Sequence, residues 1–365
     1  MNEDIEPADY LSSHWQTGSS QIPDKVEELV RLCAGSSENA QLYRDMLLEV
    51  IRMAQADRNR WDAKILLQTI RELERSFARL ALFKRRRKVT VFGSARTAPT
   101  HALYHLAKSM GQTLSRNDYM TITGGGAGIM AAAHEGAGVD NSLGFNITLP
   151  FEQHANTIVR GTEHELGFKF FFLRKLFFVK EADALILCPG GFGTLDETLE
   201  VLTLIQTGKS PLVPVVLLDE PGGRYWESLL NFFREQLQSA GYIRATDFHL
   251  LRLAKSSEAA MQEILDFYRN FHSARWLGQD YLLRLNQPLH QQALQQLQTR
   301  FADVCRDGGF IQQEGDRGDE MQEPDAEFSH LPRLRFRFNG RDHGTLRTLV
   351  DFINQPENLK NPGTA

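Results

Sequence analysis

Nine consecutive residues, Pro189 to Glu197 (PGGFGTLDE), combine groups that can hold an anion with groups that can act on whatever carries it. Gly190, Gly191 and Gly193 let the backbone turn tightly and come close to a ligand. Thr194 is expected to open a helix, whose first amides lack partners within the helix and face outward. Asp196 and Glu197 would then fall in the first turn, where a carboxylate is favoured electrostatically and stands beside the bound anion. A phosphate cradle with an acid at its edge is the chemistry this spacing offers.

A second group lies just upstream, in FKFFFLRKLFFVK. Six of the 23 phenylalanines fall between Phe168 and Phe178, with Arg174 within one helical turn of Phe170, Phe171, Phe177 and Phe178. The rings read as core. A guanidinium among them costs several kcal/mol unless it meets an anion, and Glu197 or a bound phosphate would serve. A third cluster, Gly124, Gly125 and Gly126 in GGGAGIM, is not a dinucleotide fingerprint, because Ile129 stands where the third glycine of G-x-G-x-x-G would fall. No Walker lysine follows either glycine cluster, which disfavours triphosphate hydrolysis. Neither HExxH nor paired CxxC occurs, so no catalytic metal is expected, and His134, His154 and His164 read as structural or surface residues.

Three regions would position these groups. Residues 1–87 read as a mostly helical extension, with apolar residues at helical spacing such as Leu47 with Ile51 and Leu73 with Phe77. The basic run Lys84 to Lys88 at its end reads as a cationic helix terminus leading into a linker. Residues 88–272 alternate strand and helix: strands at Val89 to Phe92, Tyr119 to Thr123, Leu143 to Leu149, Ala184 to Cys188, Pro211 to Leu218 and near His249 to Leu253. Gly167 to Lys180 reads as helix throughout. This predicts an α/β fold, a Rossmann-like parallel sheet with helices on both faces, and the turns at Gly93, Gly124 and Gly190 opening at the carboxyl edge where ligands bind. Residues 273–365 read as a helix over Leu282 to Val304 broken at Pro288, an acidic loop, and a small strand–helix appendage. In that appendage Arg333 to Phe338 pairs with Gly309 to Gln312 and puts its alternating arginines on the solvent face.

Bulk composition narrows the class. Against 41 lysines and arginines stand 46 acids, a formal charge of -5 that disfavours a dedicated nucleic-acid or membrane-surface protein. Three scattered cysteines, Cys33, Cys188 and Cys305, indicate neither a disulfide framework nor a metal cluster. No stretch approaches the roughly 20 apolar residues of a membrane span. A cytoplasmic protein is expected.

The motif set as a whole resembles the Lonely Guy (LOG) family. PGGFGTLDE matches that family's PGGxGTxxE, Arg174-Lys175 stands at its Arg-Lys pair, and FGSAR, TGGGAGIM and GFNITLPFEQ match further segments, over about residues 88–271. The resemblance implies hydrolysis of a nucleoside 5'-monophosphate, a cytokinin monophosphate or AMP, to free base and ribose 5-phosphate, with no cofactor. It puts catalysis on Arg174 and Glu197 and substrate contacts on Glu152, Lys175, the Gly190 to Thr194 loop and Thr203, alongside the Gly124 to Gly126 cluster. It also implies a homodimer or larger homo-oligomer. Ala131 departs from the glutamate that many relatives carry after GIM. The alternative is a carrier or sensor that binds a nucleotide or cofactor on the same fold without cleaving it.

Overall fold

The computed structural model describes residues 21–57, 59–148, 155–315 and 328–360. Two compact units are present, one up to Arg71 and one from Glu72 onward. The first contains helices α1 (Gln21–Ala34) and α2 (Ala40–Gln55) and most of α3 (Arg60–Ala81), in line with the expected helical extension. Within it, Arg44 Nε lies 2.9 Å from Glu27 Oε2, tying α2 to α1.

The second unit is built on a seven-stranded, wholly parallel sheet in the order β4-β3-β2-β1-β5-β6-β7. Its strands are β1 (Lys88–Phe92), β2 (Met120–Thr123), β3 (Ser142–Ile147), β4 (Glu165–Phe168), β5 (Ala184–Leu187), β6 (Val215–Leu218) and β7 (Leu251–Ala254). Helices α4 (Ala102–Arg116), α5 (Ile129–Ala137), α6 (Phe171–Lys180), α7 (Phe192–Gln206), α8 (Tyr225–Phe232) and α9 (Ser257–Phe267) connect them. Strands buried on both faces are largely apolar, and β1, β5 and β6 divide their apolar side chains between the two. Val89, Val91, Ala184, Ile186, Val216 and Leu218 join the core under α4, α5 and α9. Phe92, Leu185, Leu187, Val215 and Leu217 join the opposite core, with Phe177 and Phe178 of α6 and Val201 and Ile205 of α7. The α/β class and the layering over both faces are as expected.

Three local expectations fail. Gly167 to Lys180 is not one helix: Glu165–Phe168 is edge strand β4, paired with β3, and α6 begins only at Phe171. Leu282 is not helical either, because β8 (Phe271–Leu277) and β9 (Asp280–Leu285) form a hairpin, and the helix of this region, α10, runs Gln291–Arg300. The hairpin joins β10 (Ile311–Gln313) and β11 (Arg333–Phe336) in a four-stranded antiparallel sheet, so the expected pairing of β11 with the segment near Gly309 to Gln312 is present. The arginines of the Arg333 to Phe338 segment do not all face solvent. Arg333 is 1% exposed, Arg335 is half-buried against Asp280, and only Arg337 is exposed.

Helix α11 (His343–Ile353) seats this C-terminal region on the large sheet's layers. Arg347, buried, stands over the Phe267 ring of α9 at 4.7 Å and binds Glu263 at 2.5 Å and Asp351 at 2.8 Å. The basic run before β1 is likewise committed to structure: Arg87 covers the Tyr268 ring at 3.6 Å and Lys88 pairs with Glu181 at 3.3 Å. Among the described residues, no helix is long and apolar enough to cross a membrane.

Candidate functional site

The carboxyl ends of β1, β2 and β5 meet, and turns stitch them together. At the end of β5, Pro189 O accepts from the Ser94 amide of the β1 turn at 3.2 Å, and Ser94 O accepts from the amide of Ile129 at 3.0 Å. Gly190 is held from above by the Tyr225 hydroxyl, which donates to its carbonyl at 2.7 Å. Only glycine fits at 190, since a Cβ would collide with the Thr194 side chain and stand 3.0 Å from the Ser94 amide nitrogen.

Helix α7 starts at Phe192, with Gly191 at its N-cap and no side chain capping it. That is two residues before the expected start at Thr194. Its first amides therefore come from Phe192 and Gly193 and point out of the helix end, as an anion site requires. Asp196 and Glu197 consequently lie beyond the first turn, so the helix-dipole argument does not apply to them.

Arg174 enters from α6. Its Nε donates to Phe145 O at 2.8 Å and its Nη2 to Gly124 O at 3.2 Å, and the guanidinium sits 5.1 Å from the Phe178 ring centre. The carbonyl ends of β2 and β3 thus aim this side chain. Burial lowers the Arg174 pKa, and the nearby Glu197 charge opposes that shift. A Cβ at Gly124 would meet Arg174 Nη2 and, at 2.8 Å, Met130 Sδ, so any larger residue there displaces one or both of these side-chain ends.

Glu197 is 8% exposed. Its expected cation was Arg174, but the ion pair it makes is with Lys175, whose Nζ lies 3.3 Å from Oε2. The same ammonium lies 3.0 Å from Asp196 and 2.6 Å from Glu200. Burial pushes the Glu197 carboxyl above the ordinary range, with Lys175 pulling the other way. For Lys175 itself burial works against the charge, yet the bonds to Glu200 and Asp196 prevail and raise its pKa.

These groups surround an open cavity of about 810 Å³ lined by Gly93 to Arg96, Gly124, Arg174, Gly190 to Glu197 and Tyr225, with Phe171, Phe178 and Met130 as its apolar wall. The structure thus brings together Arg174, Glu197, Gly124, Gly190, Gly191, Gly193 and Thr194. Gly125 and Gly126 stand behind the lining, where Gly125 O accepts from the Asn156 amide at 2.7 Å and Gly126 O from Asn156 Nδ2 at 3.1 Å. Lys175 and Thr203 face a separate surface recess with Glu200. Glu152 lies outside the described residues. Tyr225, Asn156 and the His134 beneath it carry no motif. Their involvement comes from tertiary contact alone, although Tyr225 lies shortly after a strand end, where ligand contacts gather.

Residues 127–264 match a family model described as "Possible lysine decarboxylase". The chain is 38% identical over 94 residues to cytokinin riboside 5'-monophosphate phosphoribohydrolase LOG1 of Arabidopsis thaliana, covering 26% of this chain and 42% of that protein. It is 29% identical over 190 residues to LOG3 of the same plant, covering 50% and 83% respectively. Against the probable phosphoribohydrolase LOGL5 of Oryza sativa subsp. japonica it is 35% identical over 155 residues, covering 40% and 58%. The match to the first of these relatives therefore spans less than half of that protein. Among solved structures, the molybdenum cofactor binding protein of Rippkaea orientalis is 22% identical, with a TM-score of 0.36 over 49% of this chain and 94% of that one.

Proposed function

The chain carries a LOG-family domain, and from that premise we propose that it hydrolyses the N-glycosidic bond of nucleoside 5'-monophosphates, AMP or N6-substituted derivatives, to the free base and ribose 5-phosphate. The observation that supports the reading is the meeting of Arg174, Glu197 and the Gly190 to Thr194 turn around one cavity. The outward amides at the start of α7 take the 5'-phosphate, which fixes the ribose relative to Glu197 within the same helix.

Cleavage breaks the bond from C1' to the base nitrogen. The electron pair leaves with the base, which gains a proton, and water supplies the oxygen that ends on C1'. The Glu197 carboxylate stabilises the oxocarbenium-like centre and takes the water proton. Arg174, its guanidinium aimed by two carbonyls, supplies positive charge to the phosphate or the departing base. The rings of Phe171 and Phe178 offer the base an apolar wall. Nucleoside monophosphates are cytoplasmic metabolites, and the reading places the reaction there.

The matched family's description names lysine decarboxylation, which elsewhere uses an amine-bound pyridoxal cofactor. Among the described residues no lysine lines the cavity, and the nearby Lys175 ammonium is engaged by three carboxylates. The residues present do not fit that cofactor, and no step is assigned to it.

The test is incubation with AMP, GMP, CMP and prenylated AMP, followed by chromatography for free base. Base release from at least one supports the proposal. Folded protein that returns bound, intact nucleotide after prolonged incubation would overturn it in favour of a carrier.

A further inference from the structure

A second cavity, of about 760 Å³, opens on the C-terminal antiparallel sheet and shares no lining residue with the one around Arg174. Its size falls in the range of small-ligand pockets, about 300–1,000 Å³. Three arginines line it, Arg306, Arg337 and Arg341, against a single acid, Asp307. Arg337 is partly committed, lying 3.2 Å from Asp307 and 3.7 Å from Asp280. Asp280 is itself already bound by Arg335. Among the described residues, neither Arg306 nor Arg341 makes a side-chain ion pair, and both are exposed.

The same cavity contains Trp276, 44% exposed, braced from behind by Tyr281 at 4.9 Å and Phe338 at 6.1 Å between ring centres. The walls are fixed before any ligand arrives. The Arg306 amide donates to Arg337 O at 2.6 Å and the Asn339 amide to Val304 O at 2.9 Å, joining the two loops. Asn339 Oδ1 accepts from the amides of Arg341 and Asp342, and Gly340 takes a positive φ of 70° to close that turn.

A braced indole beside a surplus of guanidinium groups matches a flat ring carrying phosphates. The ring stacks on Trp276, and phosphate oxygens take paired hydrogen bonds from arginine. We propose that this cavity is a second ligand site, for a nucleotide bearing more than one phosphate, with Trp276 under the base and Arg306, Arg337 and Arg341 on the phosphates. One bounded cavity suits one nucleotide, not the track that a single strand follows. The site stands independently of the hydrolase reading.

The experiment is equilibrium dialysis of the full chain with ADP, which is not a 5'-monophosphate, and separately with inorganic pyrophosphate and a 15-mer of thymidylate. It is run on the natural sequence, on Trp276→Ala and on Arg306→Ala/Arg341→Ala, the two arginines being exposed and making no side-chain ion pair among the described residues. Circular dichroism melts check each fold. ADP binding weakened at least tenfold in both variants, with pyrophosphate weaker than ADP on the natural protein, supports the site. Equal ADP affinity in all three proteins overturns it, as does pyrophosphate binding as tightly as ADP, or binding of the 15-mer alone. If no base is released from any monophosphate yet ADP binding responds to these substitutions, the hydrolase reading fails and this site stands.

Discussion

Lys175 Nζ stands 3.3 Å from Glu197 Oε2, while Arg174, its neighbour in the chain, is tied instead to the carbonyls of Phe145 and Gly124. Adjacent cations on one helix therefore do different work. Arg174 is aimed at the cavity, and Lys175 is the cation that pairs with the acid and favours its charged form. Burial raises the Glu197 pKa and Lys175 lowers it, so removing the ammonium takes away the larger downward pull and leaves only the weaker one from Arg174. The acid limb of kcat/KM reports ionisation of an essential carboxylate. In Lys175→Met that limb is expected at higher pH than in the natural protein. Coincident acid limbs would show that Lys175 does not tune the carboxylate.

Glu197→Gln keeps the shape of the side chain and removes the charge that the proposed reaction sets against C1'. Loss of a general base and of its electrostatic support lowers kcat by about 10²–10⁴-fold. Nucleotide affinity, read by calorimetry, should change little, because the proposed reading gives the phosphate to backbone amides. Turnover near that of the natural protein would remove Glu197 from the chemistry.

Gly124→Ala tests how the guanidinium is placed without touching it. The new methyl stands too close to Arg174 Nη2 and to Met130 Sδ, so these side-chain ends must shift. Overpacking of this kind costs about 1–3 kcal/mol of stability. A drop in kcat well beyond what that loss explains is expected, measured on protein shown to be folded by its melting curve. Unchanged kcat would mean that the position of Arg174 does not matter.

Much of the frame was legible in the sequence because buried parallel strands are apolar along most of their length, as in Ala184 to Leu187 and Val215 to Leu218. Strand β4 escaped because its four residues include Glu165 and Gly167, and the phenylalanine run that follows reads as one helix with it. The β8–β9 hairpin escaped because Leu282 to Leu285 blends into the Gln-rich helical spacing after Pro288. At the site, residue type and spacing singled out Arg174, Glu197, Gly124 and the Gly190 to Thr194 turn, which line one cavity, but gave no sign that Gly125 and Gly126 stand behind it. The partner of Glu197 did not follow from spacing. It depends on which of two adjacent cations the β2 and β3 carbonyls capture, and that is settled only by packing.

Helix α6 and the start of α7 carry exposed apolar groups, of which Phe171 and Phe192 also line the cavity: Phe192 is 93% exposed, Phe172 55%, Phe171 54% and Leu176 46%. Apolar surface concentrated at one place marks an interaction face. A homo-oligomer that covers it is expected by analytical ultracentrifugation, and Phe172→Glu/Leu176→Glu should shift the protein to monomer. A natural protein that stays monomeric at high concentration would sink this expectation.

His134 lies wholly buried beneath the Gly124 turn. Its Nδ1 accepts from Asn156 Nδ2 at 3.1 Å, and its Nε2 stands 3.1 Å from Thr123 Oγ1 and 3.3 Å from Leu143 O, which fits a neutral ring with the proton on Nε2. Asn156 in turn binds the carbonyls of Gly125 and Gly126, so this imidazole helps to hold the turn that aims Arg174. Burial is the main reason its pKa falls from 6.5 to about 4. A depressed folded-state pKa means that the unfolded chain takes up the proton first as pH falls. The contribution of His134 is therefore full above pH 6.5 and is lost between there and about pH 4, to the extent of about 3 kcal/mol. Urea unfolding at pH 7 and pH 4.5 should show His134→Gln losing less stability between the two than the natural protein does. Equal losses would mean that the buried imidazole takes its proton as readily in the folded state as in the unfolded one.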